Sequence, residues 1–213
     1  MRILVAGSTG NTGARLVKKL TEAGHTPVAM VRESSDKSVL PTGCETRKAD
    51  LSDLRSDVAR DVEAVVFAAG SGGHTGPDMT DKVDRDGAKA LIDAAAGAKV
   101  KRFIMLSSIG ADAPSKGPDS LRHYLEAKLE ADEHLRNADV PHVIVRPISL
   151  SDGTGKGQVT LGDHVDRNGD VTRDDVAAVL AASVTEPGLE GVTFEMCAGD
   201  VPVNRAVAQV AGG

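Results

Sequence analysis

One side-chain pair in the chain has the composition of a proton-transfer site. Tyr124 is the single tyrosine, and Lys128 follows it by four residues in a stretch that reads as helix, so both side chains fall on one helical face. A phenol with an ordinary pKa of about 10 is a poor acid or base at neutral pH, and a nearby ammonium favours its phenolate. Lys128 supplies such a charge and has the reach to bond a ribose. Ser107 and Ser108 end an apolar run just upstream, where a hydroxyl could steady a substrate carbonyl. The bland alternative has Tyr124 as an amphipathic plug, Lys128 as a solvated charge and the serines as loop caps.

Elements that would position these groups are legible around them. Ile3 to Ala6 is an apolar run, followed by Gly7, Gly10 and Gly13 and then by an amphipathic stretch: strand, glycine loop, helix. The start of such a helix carries unpaired amides at the positive end of its dipole, where a pyrophosphate can sit. Gly7 allows the tight turn, Gly10 the approach of phosphate to backbone, and Gly13 the packing of helix on strand. Further strands are predicted at Thr26 to Val31, Glu45 to Lys48, Ala64 to Ala68, Arg102 to Leu106, His142 to Arg146 and Val192 to Met196. Helices are predicted at Thr12 to Ala23, Asp53 to Ala59, Asp81 to Ala96, Ser120 to Ala138, Arg173 to Thr185 and Asn204 to Val210. This alternation implies an α/β fold, a doubly wound parallel sheet of Rossmann type in three αβα layers with a small C-terminal extension. Residues 1–213 are expected to form a single domain, in which 148–213 supply a substrate-side region and the last strand and helix.

The ends of the strands nominate a dinucleotide site. Arg32 follows the second strand, where an arginine accommodates the 2′-phosphate of NADP, although the adjacent Glu33 keeps NAD open. Asp50 and Leu51 end the third strand and suit an adenine, or else Asp50 caps the next helix. Ala68, Ala69 and Gly70 are small enough for a dinucleotide to lie against the backbone. The loops Gly70 to Pro77 and Ala111 to Pro118 leave strand ends on the side where ligands bind such sheets.

Composition narrows the classes. The chain has 213 residues, 40% hydrophobic and 26% charged, with a formal charge of −6, and its pI is near 5.5. That balance argues against a nucleic-acid partner. No apolar run approaches the roughly 20 residues needed to span a bilayer, and Arg2 with the first strand follows Met1 directly, so a cytoplasmic protein without a membrane anchor is expected. Cys44 and Cys197 are widely separated and read as reduced thiols rather than metal ligands. No metal is expected, and no stripe of residues specifies an oligomeric state.

Taken together, Gly7-Ser8-Thr9-Gly10-Asn11-Thr12-Gly13, Val31-Arg32, Asp50-Leu51, Ala68-Ala69-Gly70, Val83-Asp84, Leu106-Ser107-Ser108-Ile109-Gly110, Tyr124-Leu125-Glu126-Ala127-Lys128 and Val145-Arg146-Pro147 resemble the short-chain dehydrogenase/reductase superfamily. The similarity is to its atypical branch of small NAD(P)-binding proteins, near the flavin and biliverdin reductases and the nitrogen-regulator-like sensors. Gly153-Thr154-Gly155-Lys156 and Val171 to Ala177 also resemble that branch. The resemblance implies Tyr124, Lys128 and Ser108 as the catalytic set. For the cofactor it implies Gly7, Thr9, Gly10, Asn11, Thr12, Gly13, Arg32, Asp50, Leu51, Ala68, Ala69, Gly70, Ser107, Lys128, Pro147 and Ile148. It also marks Asp84 as a polar brace of neighbouring strands or of the site. After Pro147 fewer than about 70 residues remain, small by domain standards, and Ile148-Ser149-Leu150 stands where relatives often have glycine. The expected activity is an NADP-dependent reductase acting on a small carbonyl, quinone or flavin-like acceptor. A cofactor sensor without turnover and a nucleotide-sugar epimerase are the alternatives.

Overall fold

The structure is a computed structural model that describes residues 1–71 and 76–212; of the predicted loop after the fourth strand, Gly72 to Thr75 lie outside the described residues. In chain order the strands are β1 (Arg2–Ala6), β2 (Thr26–Val31), β3 (Glu45–Lys48), β4 (Ala64–Phe67), β5 (Arg102–Leu106), β6 (His142–Pro147), β7 (Leu150–Ser151), β8 (Gln158–Gly162), β9 (Val171–Thr172), β10 (Val192–Ala198) and β11 (Val201–Pro202). The helices are α1 (Asn11–Glu22), α2 (Pro77–Thr80), α3 (Ala88–Gly97), α4 (Asp119–Asn137), α5 (Arg173–Ser183) and α6 (Val203–Ala211), with short 3-10 turns at Lys37–Val39 and Pro114–Lys116.

Among the described residues, one nine-stranded sheet runs in the order β11-β8-β10-β6-β5-β4-β1-β2-β3. The run from β3 to β10 is parallel throughout, as expected. Its far edge departs from that expectation, because β8 lies antiparallel to β10 and β11 antiparallel to β8. Strand order reverses at β1, which pairs with β2 on one side and β4 on the other. The crevice above that reversal is where open α/β sheets hold ligands.

Burial on both faces explains the unbroken apolar strands. Ile3, Val5, Val66, Ile104 and Val145 point into one core with Leu16, Val17 and Leu20 of α1 and residues of α5 and α6. Leu4, Phe67, Phe103, Met105 and Ile144 point into the other, with Leu91, Ile92, Ala131 and Leu135 of α3 and α4. Alternate residues therefore serve opposite layers, so the middle of these strands is apolar and polar side chains such as Arg102 and Arg146 stand towards their ends.

Two local expectations are overturned. Residues Asp53 to Ala59 form no helix; they are turns with an isolated bridge between Asp50 and Asp53. Short polar side chains take the hydrogen bonds a helix would need: Asp50 Oδ1 accepts from the Ser52 amide and hydroxyl, and Arg47 draws in the Val58 and Arg60 carbonyls at 2.6 and 2.8 Å. The single helix predicted from Asp81 is divided. Asp81–Gly87 winds as a π-helical turn before α3 begins, a wide turn that recurs at functional sites. Gly87 makes room for Leu51, whose Cβ and carbonyl oxygen lie 2.7 and 2.9 Å from where a Gly87 Cβ would be.

Candidate functional site

The glycine loop is pressed between the ends of β1 and β4. Gly7 has φ +77°, and a Cβ there would meet the Ala69 and Ala68 backbone at 2.6 to 2.7 Å; a Cβ on Gly13 would sit 2.0 Å from the Gly7 carbonyl oxygen. Ser8, fully buried, ties the loop to β2 by donating to the Met30 carbonyl at 2.7 Å. Gly10 differs: it is exposed, and its Cβ would meet only the Gly7 oxygen at 3.2 Å. It caps α1 without any side-chain hydrogen bond, and no acidic residue occupies the first turn. Unopposed amides, an open Gly10 and the dipole of a 12-residue helix suit a dianionic pyrophosphate. Thr9 is half-buried, Asn11 is exposed, and Thr12 lies buried under the loop.

Arg32 emerges exposed from β2, its amide bonded to the Ser35 hydroxyl. It borders a cleft of about 660 Å³ that is also lined by Glu33, Lys48, Asp50 and Arg55. Glu33 forms an ion pair with Lys48, which holds its carboxyl below the usual carboxylate range. The bonds from Ser52 lower the Asp50 carboxyl likewise, helped by the charge of Arg32. Asp50 therefore shapes a turn instead of capping a helix, and Leu51 lies half-buried against Gly87. Ala68 and Ala69 are half-buried and Gly70 is exposed, continuing the wall beside the glycine loop.

At the end of β5 the chain brings Tyr124, Lys128 and the two serines to one region. Lys128 is buried; its ammonium donates to the Leu106 carbonyl at 3.3 Å and lies 5.6 Å from the centre of the Tyr124 ring and 5.5 Å from that of Phe67. It also stands 3.0 Å from Oδ1 of Asp84, itself fully buried on the π-helical turn. Burial pushes the ammonium down, but Tyr124, Asp84 and Asp132 together overcome it and hold Lys128 above the ordinary lysine value. Tyr124 is half-buried, and the half-buried Ser108 turns its hydroxyl onto the Ile109 carbonyl at 3.3 Å.

Ser107 has a different engagement. Its hydroxyl donates to Asp132 at 2.9 Å, and the same Asp132 oxygen accepts from Arg146 at 2.8 and 3.1 Å. Burial raises the Asp132 carboxyl, with Arg146 and Ser107 opposing. This buried knot joins β5, α4 and β6 directly beneath the site. Pro147 and Ile148 are buried as well: the Pro147 carbonyl accepts from the Ile109 amide, the Ile148 amide donates to Met196, and the Ile148 side chain packs in the core. Any contact from these two to a ligand would be through backbone.

Two functional details escaped the sequence. The resemblance marks Asp84 as a brace without naming a partner; the partner is Lys128, 44 positions away, and in the charged run Asp81–Gly87 nothing sets Asp84 apart from its neighbours. The loop Gly155–Gly157 is held by Asp174 and Asp175 at the start of α5, which accept its amides at 2.8 to 3.2 Å. Thr172 caps the helix there, its hydroxyl oxygen accepting from the Asp175 amide at 3.0 Å. Among the described residues no helix is long and apolar enough to cross a membrane.

With this geometry in view, comparison with known proteins is informative. The model of a family described as NAD(P)H-binding matches residues 7–187. The uncharacterised sugar epimerase YhfK of Bacillus subtilis is 36% identical over 215 residues, covering 99% of this chain and 100% of that protein. A solved structure from Bacillus halodurans, named provisionally as an NAD-dependent epimerase/dehydratase, is 40% identical and superposes with a TM-score of 0.93 over 98% of this chain and 99% of its own. The oxidoreductase ylbE of Lactococcus lactis is 27% identical, with a TM-score of 0.89 over 100% and 98% of the two chains.

Proposed function

From the premise that the chain belongs to the NAD(P)H-binding family, among proteins of oxidoreductase and epimerase-like character, we propose that it is an NADP(H)-dependent reductase of short-chain type for a small carbonyl, quinone or flavin-like acceptor. The observation that carries this reading is the meeting of Tyr124 with a buried, charged Lys128 at the carboxyl end of β5, two strands from the glycine loop.

The cofactor, when bound, supplies a hydride from its nicotinamide. The chain's own residues do the rest. The amides after Gly10, with Thr9, Asn11 and Thr12 alongside and Gly7 and Gly13 shaping the turn, hold the pyrophosphate, and the α1 dipole favours its charge. Arg32 meets the 2′-phosphate. Asp50 accepts from the adenine amino group and Leu51 covers the ring. Ala68, Ala69 and Gly70 leave the space for an extended dinucleotide, and backbone at Ser107, Pro147 and Ile148 walls the nicotinamide end. Ser108 Oγ steadies the acceptor oxygen, and Tyr124 Oη delivers a proton to it as negative charge develops there. Lys128 orients the ribose from beneath.

NADPH consumption with a panel of quinones, flavins and aldehydes tests the reading. Tyr124→Phe is expected to lower kcat about 10²- to 10⁴-fold with NADPH affinity retained; equal rates in the two proteins would remove Tyr124 from the chemistry. The relatives named as epimerases favour a second reading, in which the same tyrosine serves a nucleotide-sugar epimerase. Tightly held NAD after purification, with inversion of a sugar carbinol and no net NADH, would establish that instead.

A further inference from the structure

We propose that Lys48 is a positioning residue that sets cofactor selectivity: reaching from the end of β3, it holds the Glu33 carboxylate and so keeps that charge from opposing a 2′-phosphate beside Arg32. The inference rests on the reading of Arg32 as the partner of the 2′-phosphate. Lys48 acts through Glu33 and not by touching the cofactor.

The end of β2 presents two contradictory signals in succession. An arginine there accommodates the 2′-phosphate of NADP, whereas a carboxylate bonds the ribose hydroxyls of NAD and repels a phosphate. Arg32 and Glu33 are both exposed and border the same cleft of about 660 Å³, so their placement alone does not choose between the cofactors. The structure adds a third charge. β3 lies parallel to β2 with Lys48 opposite Val31, which brings the end of β3 level with the residues that follow β2. Lys48 lines the cleft too, and it is ion-paired with Glu33. The bond from Lys48 and its charge hold the Glu33 carboxyl below the usual carboxylate range, with a smaller contribution from Lys37. The acid is thus ionised and already satisfied.

Other charges of the cleft are engaged elsewhere. Asp50, the second carboxylate near Arg32, accepts from the Ser52 amide and hydroxyl. Arg55 and Arg60 both pair with Asp57, at 3.1 and 3.4 Å, and Arg47 donates to the Val58 and Arg60 carbonyls. Without the lysine, the Glu33 carboxylate returns to the cleft as a free negative charge. In water at physiological ionic strength, such a charge about 6 Å from a phosphate dianion weakens its binding about three- to tenfold. NADH has no phosphate there to be opposed, and its ribose hydroxyls gain an acceptor.

Dissociation constants for NADPH and NADH, read from nicotinamide fluorescence with no acceptor present, test this without any turnover. Both side chains are exposed, so their replacement leaves the fold intact. The parent is expected to bind NADPH more tightly. Lys48→Met is expected to cut the preference for NADPH over NADH about three- to tenfold. Glu33→Gln added to it removes the freed charge and is expected to return the preference to within about twofold of the parent, since an exposed pair is worth little in itself. An unchanged preference in Lys48→Met would overturn the proposal. So would a preference that stays low in the double variant, because Lys48 would then be meeting the phosphate itself. Arg32→Ala separates this inference from the reading beneath it. A preference lost in Arg32→Ala but kept in Lys48→Met defeats the inference alone, whereas a preference untouched by Arg32→Ala, or a parent that binds the two cofactors alike, defeats both.

Discussion

Gly10 and Gly13 stand one helical turn apart, but the space around them differs. A methyl at Gly13 would run into the Gly7 carbonyl at 2.0 Å, backbone against backbone, whereas one at Gly10 would meet the same oxygen at 3.2 Å and otherwise point outward. Gly13→Ala should therefore reduce stability by about 2 to 3 kcal/mol, seen as an earlier midpoint in denaturant unfolding. Gly10→Ala should leave that midpoint within about 0.5 kcal/mol and weaken NADPH binding at least about tenfold, about 1.4 kcal/mol, in a fluorescence titration. Loss of stability without loss of affinity at Gly10 would count against the phosphate site proposed there.

The elements around the site are tied down at the opposite end of the sheet by Arg102. This buried guanidinium, at the start of β5, donates to the Ser183, Val184 and Glu186 carbonyls and pairs with Glu190, so that the uncapped end of α5 is satisfied from inside the sheet. Arg102→Met is expected to lower unfolding free energy by about 3 kcal/mol, because several buried carbonyls lose their partner together. Glu190, half exposed, should matter little: Glu190→Gln within about 1 kcal/mol. The parallel strands other than β3 were legible because they are buried on both faces and written mostly in apolar residues, and α1, α4 and α5 because their starts or faces are marked. β8 was not, since in Gln158–Gly162 a single residue is buried and the strand pairs with partners distant in sequence. The helix expected at Asp53 to Ala59 failed where aspartate, serine and arginine side chains took over the backbone groups. Near the end of β5, the nearness of Tyr124 and Lys128 on one face of α4 was legible from their spacing. The Asp84 partner and the burial of Ser107 under Asp132 depend on a π-helical turn and on strand neighbours that no local pattern records.

Across the whole molecule, one ligand should stabilise what many elements share. The proposed cofactor surface draws on β1, β2, β3, β4 and β5, so occupancy resists global unfolding. At a hundredfold excess over its Kd, NADPH should add about 2.7 kcal/mol and raise Tm by about 5 to 10 °C for a chain of this size. With Arg32→Ala the advantage of NADPH over NADH in a thermal-shift assay should disappear. An equal response to both cofactors in the parent protein would show that Arg32 does not read the 2′-phosphate.

The two outermost strands have a bearing on how this chain survives in a crowded solution. β3 consists of Glu45, Thr46, Arg47 and Lys48, with Arg2 paired to Glu45 beside it, and β11 is two residues ending in Pro202. One edge repels a foreign strand with charge, and the other offers almost no backbone ladder to extend. A sheet of nine strands is therefore shut against recruitment into its neighbours' sheets, so slow aggregation from the folded state should have to begin elsewhere.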